Sequence, residues 1–208
     1  MSQTPASVAA AERCIESGAR HGLEIEKWEA TTPNELLSAF LLDAGIKPEG
    51  FKEKYSRLEN CMAAFHSHWS LWKHCTEIRQ KVTIFEHDAV VVDTIPDMHF
   101  GGCINLGKPS YGKFNIPERL GLNTLTSKRY FPGAHAYRVN PAGASLLITQ
   151  AGLYARPTDV FLNLDVLEWL QEYYPWPVEV RETFSTIQKT EGCLAKHMYN
   201  KDYVLEDI

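Results

Sequence analysis

The sequence has no apolar run approaching the roughly 18 residues that a bilayer span requires, so it predicts no transmembrane segment. Its first residues, MSQTPASVAAAERC, lack the basic start and continuous apolar centre of a secretory signal. The five cysteines (Cys14, Cys61, Cys75, Cys103 and Cys193) include no CxxC pair and are odd in number. That pattern argues against a disulfide framework and predicts reduced thiols in a cytoplasmic protein. There is no basic stripe, and the net charge is −5, which argues against a nucleic-acid binder held by phosphate contacts. Internal repeats and low-complexity tracts are also missing.

What is present is ordinary for a globular protein: 208 residues, 44% hydrophobic and 23% charged. That length suits one well-packed domain spanning 1–208.

Helix signals are well spaced. Residues 6–21 carry alanines and charges at helical period and close at Gly22. TTPNELLSAFLLDAG predicts a helix with Thr32 as N-cap, Pro33 at N1, Glu35 completing a capping box, and Gly45 at its end. A longer helix is expected over 59–79, with Met62, Phe65, Trp69, Trp72 and Ile78 near one face. NPAGASLLITQAG predicts another, with Asn140 as N-cap, Pro141 at N1 and Gly152 beyond its end, and Thr158 caps a further helix through Leu170. Strands are expected at 23–30, 82–85, 101–107, 135–139 and in VEVRE, with a Gly/Pro/Lys-rich loop at about 107–129. This alternation predicts an α/β protein with a mostly parallel sheet flanked by helices.

Within KVTIFEHDAVVV, Glu86-His87-Asp88 interrupts two β-branched apolar runs. A buried carboxylate requires a partner, because an unpaired buried charge is costly or neutralises. An arginine, backbone N–H groups and a metal ion are all candidates. Strand alternation would place Glu86 and Asp88 on one face and His87 on the other. In an α/β sheet, ligands bind at the carboxyl ends of strands. A cluster of hard oxygen ligands there suits Mg²⁺ or Mn²⁺ carrying a diphosphate. His66, His68, His74 and Cys75 match no recognised zinc spacing.

Several segments taken together resemble one family. CMAAFHSHWSLWKHC followed by VTIFEHDAVVV resembles the Cys-x-x-Ser-His-x-x-x-Trp helix and the Glu-Asp-Asp strand end of family 25 glycosyltransferases, which include lipooligosaccharide and collagen galactosyltransferases. INLG, PGAHAYRVNPAGASLL and RPTDVFLN are similar to the family's later elements, in the same order, over about residues 55–165. Two positions depart from the pattern: His87 stands where the family has its middle acid, and the opening Asn-Leu-Asp-Arg strand has no counterpart.

The resemblance implies a GT-A-like, Rossmann-type fold and a metal-dependent inverting transferase active in lipopolysaccharide-type glycan assembly. The donor would be a UDP-sugar or similar nucleotide sugar carrying galactose or glucose, and the acceptor a hydroxyl of a glycan or glycolipid. It implies Mn²⁺ or Mg²⁺ on Glu86 and Asp88, and Asp159 as the base that takes the acceptor proton, with Asp165 a second candidate. Ser67, His68, Glu86 and His135 would touch the donor, and the basic loop at 106–129 would close over it. The competing expectation is a catalytically silent nucleotide- or glycan-binding module that keeps the fold.

Overall fold

The computed structural model describes residues 4–52, 56–181 and 187. The chain opens with helix α1 (Pro5–Arg20), where the Thr4 side chain accepts the Ser7 N–H as N-cap. Gly22, at φ +75°, follows the helix end in the left-handed region, as the sequence predicts. Residues 23–31 form no strand and run as an irregular strap. The strap is tied to the next long helix by the Thr31 N–H to Ser67 Oγ and by Trp28 Nε1 to Ser70 Oγ. Its Leu23 and Ile25 pack against a small core that includes Cys14, Ala89 and Val91, so their alternation needs no strand partner.

Helix α2 (Leu37–Asp43) begins later than the capping box predicts. The Asn34 side chain accepts the Leu36 N–H and diverts 33–36 into a turn, so Thr32 caps nothing. Gly45, at φ +70°, ends the helix, with the Ile46 N–H returning to the Leu41 carbonyl. A 3-10 turn at Pro48–Phe51 leads to α3 (Leu58–Ile78), which matches its expected span. Its buried face sets Phe65 against Phe51 at 5.1 Å, Trp72 at 5.6 Å and Phe161 at 5.1 Å. Trp72 is fully buried there, as a core residue.

Among the described residues seven strands follow: β1 (Val82–Phe85), β2 (Ala89–Val91), β3 (Cys103–Asn105), β4 (Gly121–Thr124), β5 (Ala136–Val139), and, after two helices, β6 (Gln171–Tyr174) and β7 (Val178–Val180). The helices between β5 and β6 are α4 (Pro141–Leu153) and α5 (Thr158–Phe161). Asn140 caps α4 through the Gly143 N–H, with Pro141 at N1, as predicted. Gly152, however, lies inside that helix, and the helix expected from Thr158 to Leu170 is a single turn. Asn163 ends it: its Oδ1 accepts the Asp165 and Val166 N–H groups and folds the chain into turns.

The main sheet has the order β1-β5-β3-β6-β4, and β2 pairs with β7 in a separate two-stranded sheet. The protein is therefore mixed α/β, but among the described residues three of the four pairings in the main sheet are antiparallel and only β3–β6 is parallel. That departs from the mostly parallel sheet expected. The physical reason is local: no helix intervenes between β1 and β5, and parallel neighbours need a long crossover, which here only α4 and α5 supply. Direction is nonetheless shared by β1, β3 and β6, so their carboxyl ends lie along one edge of the sheet.

The interrupted stretch at 82–92 resolves into two strands in two different sheets. The Ala89 N–H bonds to the Glu86 carbonyl and closes a turn over Glu86-His87-Asp88. The chain then leaves the main sheet for β2, which α1 covers; the Ser17 hydroxyl accepts the Val91 N–H. A second small core of Cys14, Ala89, Val91, Leu106, Ala136 and Val178 fills that junction.

Candidate functional site

Glu86 follows the last residue of β1, and its N–H bonds to the carbonyl of His135, just before β5. Its side chain points back to α3, where Oε1 lies 3.3 Å from Nε2 of His68. Nδ1 of the same imidazole lies 2.8 Å from the Tyr137 hydroxyl, which also accepts the Trp72 indole N–H at 2.8 Å. Counting donors orders this chain. The Tyr137 oxygen takes the Trp72 proton and gives its own to Nδ1 of His68, so Nε2–H is left to face Glu86. Every polar atom in the buried part of the row is then satisfied.

The Glu86 carboxyl answers to opposing influences. Burial pushes its pKa up, but the His68 hydrogen bond, with the charges of His68, His87 and His135, outweighs burial and holds it below the usual carboxylate value. The partner that the sequence leaves open is thus a histidine; Arg57 instead stands at the start of α3, with its N–H on the Ile187 carbonyl.

Alternation along a strand does not govern residues 87 and 88, because they sit in the turn. His87 stays within electrostatic reach of Glu86. Asp88 acts on α1: burial first, then the Asp88 charge, push the Cys14 thiol up to about 11. Among the described residues no group of three or more His, Cys, Asp or Glu side chains is placed to hold a metal ion. An ionised Glu86 suits a hard cation, yet such an ion would have to draw most of its oxygens from a bound ligand and water.

His135 is 2% exposed, with its ring against Gly107, so it is closed to a donor molecule in this conformation. Burial, opposed by the Glu86 charge, lowers its pKa to about 4; the Val178 carbonyl, which favours the protonated ring, lies outside hydrogen-bond geometry. Ser67 faces away from Glu86: its hydroxyl donates to the Ala63 carbonyl and accepts the Thr31 N–H. Of the expected donor contacts, His68 and Glu86 are brought together, His135 lies behind them, and Ser67 anchors the strap.

Asp159 opens α5 and accepts the Tyr111 hydroxyl on Oδ2 at 2.5 Å, while Oδ1 takes the Val160 N–H. Thr158 makes no side-chain cap. The Tyr111 segment adjoins the His135 segment, since Ser110 donates to the Pro132 carbonyl and packs against Gly133. Asp165 instead pairs with Arg129 on the surface.

The loop expected over 107–129 is partly ordered structure. It contains β4, which pairs with β6, and Lys108 pairs with Glu179. Lys113, Lys128 and Arg129 line an open cavity of about 680 Å³. Behind it lies Glu172, fully buried, whose Oε1 accepts the Thr126 and Ser127 N–H groups and the Thr126 hydroxyl. Sequence reasoning passed over Tyr111 and Glu172. Glu172 sits in the strand pattern QEYY, where an acid reads as the solvent face.

No helix among the described residues is long and apolar enough to cross a membrane. Neither a protein-family model nor a curated protein matches the chain. The functional reading therefore rests on its own residues.

Proposed function

We propose that this chain is a glycosyltransferase similar to family 25, with a GT-A-like arrangement, transferring a hexose from a nucleoside diphosphate to a hydroxyl. One observation carries the reading. Three segments quoted separately for the resemblance, those of His68, Glu86 and Tyr137, meet in a single hydrogen-bonded row at the carboxyl end of β1. Nothing in local sequence requires that meeting, since 69 positions separate His68 from Tyr137.

In this proposal Glu86, held ionised by His68, faces the diphosphate end of the donor, with Asp88 at the far side of the turn. Mn²⁺ or Mg²⁺ bound with the donor at Glu86 and Asp88 would supply neutralisation of the leaving diphosphate. Asp159, oriented by Tyr111, takes the proton of the attacking acceptor hydroxyl. Attack opposite the departing diphosphate inverts the anomeric centre.

The second reading, a silent nucleotide- or glycan-binding module, is favoured by the position of Asp88 toward α1 and by the lack of a third donor among the described residues. Calorimetric titration with UDP, with and without Mn²⁺, followed by a UDP-release assay across UDP-hexoses, separates the two. Metal-linked UDP binding with release in the presence of an acceptor supports the transferase. UDP binding without turnover on any donor supports the silent module, and absence of UDP binding overturns both nucleotide readings.

A further inference from the structure

The cavity beside β4 differs in character from the Glu86 turn. Lys113, Lys128 and Arg129 line it, and no acidic side chain among the described residues does. Phe114, Leu125 and Leu164 form its apolar wall, and its volume of about 680 Å³ falls within the range of small-molecule sites. Ser127, also lining it, is 1% exposed and its hydroxyl has no hydrogen-bond partner. The backbone of that residue is fully engaged: its N–H goes to Glu172 and its carbonyl accepts the Asn115 N–H. The main chain of Ser127 is thus fixed, while its hydroxyl, free to turn about χ1, keeps its hydrogen-bonding capacity unspent beside the equally unpartnered Oε2 of Glu172.

We propose that this cavity binds a small oxyanion-bearing molecule, with the phosphate or carboxylate group on Ser127 and the lysines and an apolar body against Phe114. The contributions are distinct. The Ser127 O–H donates to an anion oxygen. Lys113, exposed and lining the same cavity, supplies a counter-charge. Arg129 is shared with Asp165, so its effect is reduced. Lys128 is placed from below: its ammonium lies 5.6 Å and 5.0 Å from the ring centroids of Tyr111 and Tyr130 and donates to the Tyr130 hydroxyl. The Thr126 and Ser127 amides take no part, because Glu172 already occupies them.

The inference rests on the cavity alone and stands whether or not the chain transfers sugars. Tyr111 both carries the Lys128 cation on its face and donates to Asp159, so an anion in the cavity is one side chain removed from that carboxylate.

The test is calorimetric titration in EDTA, so that no divalent ion contributes, with inorganic pyrophosphate as the phosphate probe and glucuronate as the carboxylate probe. Saturable binding of either supports the site, and the one preferred tells which oxyanion it takes. Ser127→Ala should weaken that binding about tenfold without lowering the thermal midpoint, since it removes a buried hydroxyl that makes no bond in the folded protein. Lys113→Gln combined with Arg129→Gln should weaken it by more than about tenfold and decides the matter should Ser127→Ala fold poorly. No saturable binding of either probe, or affinity unchanged in both variants, overturns the proposal.

Discussion

Nε2 of His68 on α3 and Oε1 of Glu86 at the end of β1 face each other at 3.3 Å, binding the longest helix to the turn that carries the acidic cluster. The pair sets the acid limb of stability. The folded protein holds Glu86 below its ordinary 4.5, so as pH falls the unfolded chain takes up that proton first. The contribution is whole above the ordinary value and is lost as pH falls through the folded one. In urea unfolding below about pH 4.5, wild type should lose stability more steeply than Glu86→Gln. Parallel acid limbs would show that the carboxylate is not stabilised by its partners.

His135 acts in a higher window. Its unfolded imidazole gains a proton near 6.5, whereas the folded one resists until about 4. Stability is therefore complete above 6.5 and drains as pH falls between those values, by on the order of 3 kcal/mol, levelling below. His135→Gln, which gains no proton, should flatten that interval in the same urea experiment.

Tyr137→Phe removes a hydroxyl that serves Trp72 and His68 at once in a fully buried position. The indole N–H is left without an acceptor, at a cost of about 1–3 kcal/mol by urea denaturation. A loss below about 0.5 kcal/mol would mean that water replaces the hydroxyl.

Two glycines of α4 should respond with opposite signs. A Cβ at Gly143 would stand 2.3 Å from the Gly102 carbonyl oxygen, which belongs to backbone and cannot swing away. Gly143→Ala is expected to cost about 1–3 kcal/mol. At Gly152 the nearest atom is 3.8 Å away, so Gly152→Ala should stabilise by about 0.5–1 kcal/mol through helix entropy. Thermal midpoints moving the same way would contradict the packing of α4 on the Gly102 segment.

Asp159→Asn tests the proposed base. It should lower sugar transfer by about 10²–10⁴-fold while the affinity for UDP stays within about twofold, because the proposed role places the residue at the acceptor and not at the donor. Equal losses in UDP affinity and turnover would reassign Asp159 to binding or to the structural bond with Tyr111.

Local chemistry determined much of the secondary structure before any contact was formed. Asn140-Pro141 starts α4, Gly22 and Gly45 punctuate α1 and α2, and the apolar face from Met62 to Trp72 makes α3 an inward-facing helix. Those signals work within a few residues, which is why they are legible. The same short range misled at Thr32, where Asn34 captured the backbone, and at 158–170, where Asn163 did. Of the site, the sequence marked Glu86, His68 and Asp159 as chemistry-bearing residues but not what each would meet. Strand direction, the turn that separates Asp88 from Glu86, and the joining of His68 to Tyr137 depend on segments tens of residues apart. Such pairings are chosen by which buried faces and hydrogen-bond groups satisfy one another once the chain is compact, and only the tertiary structure decided them.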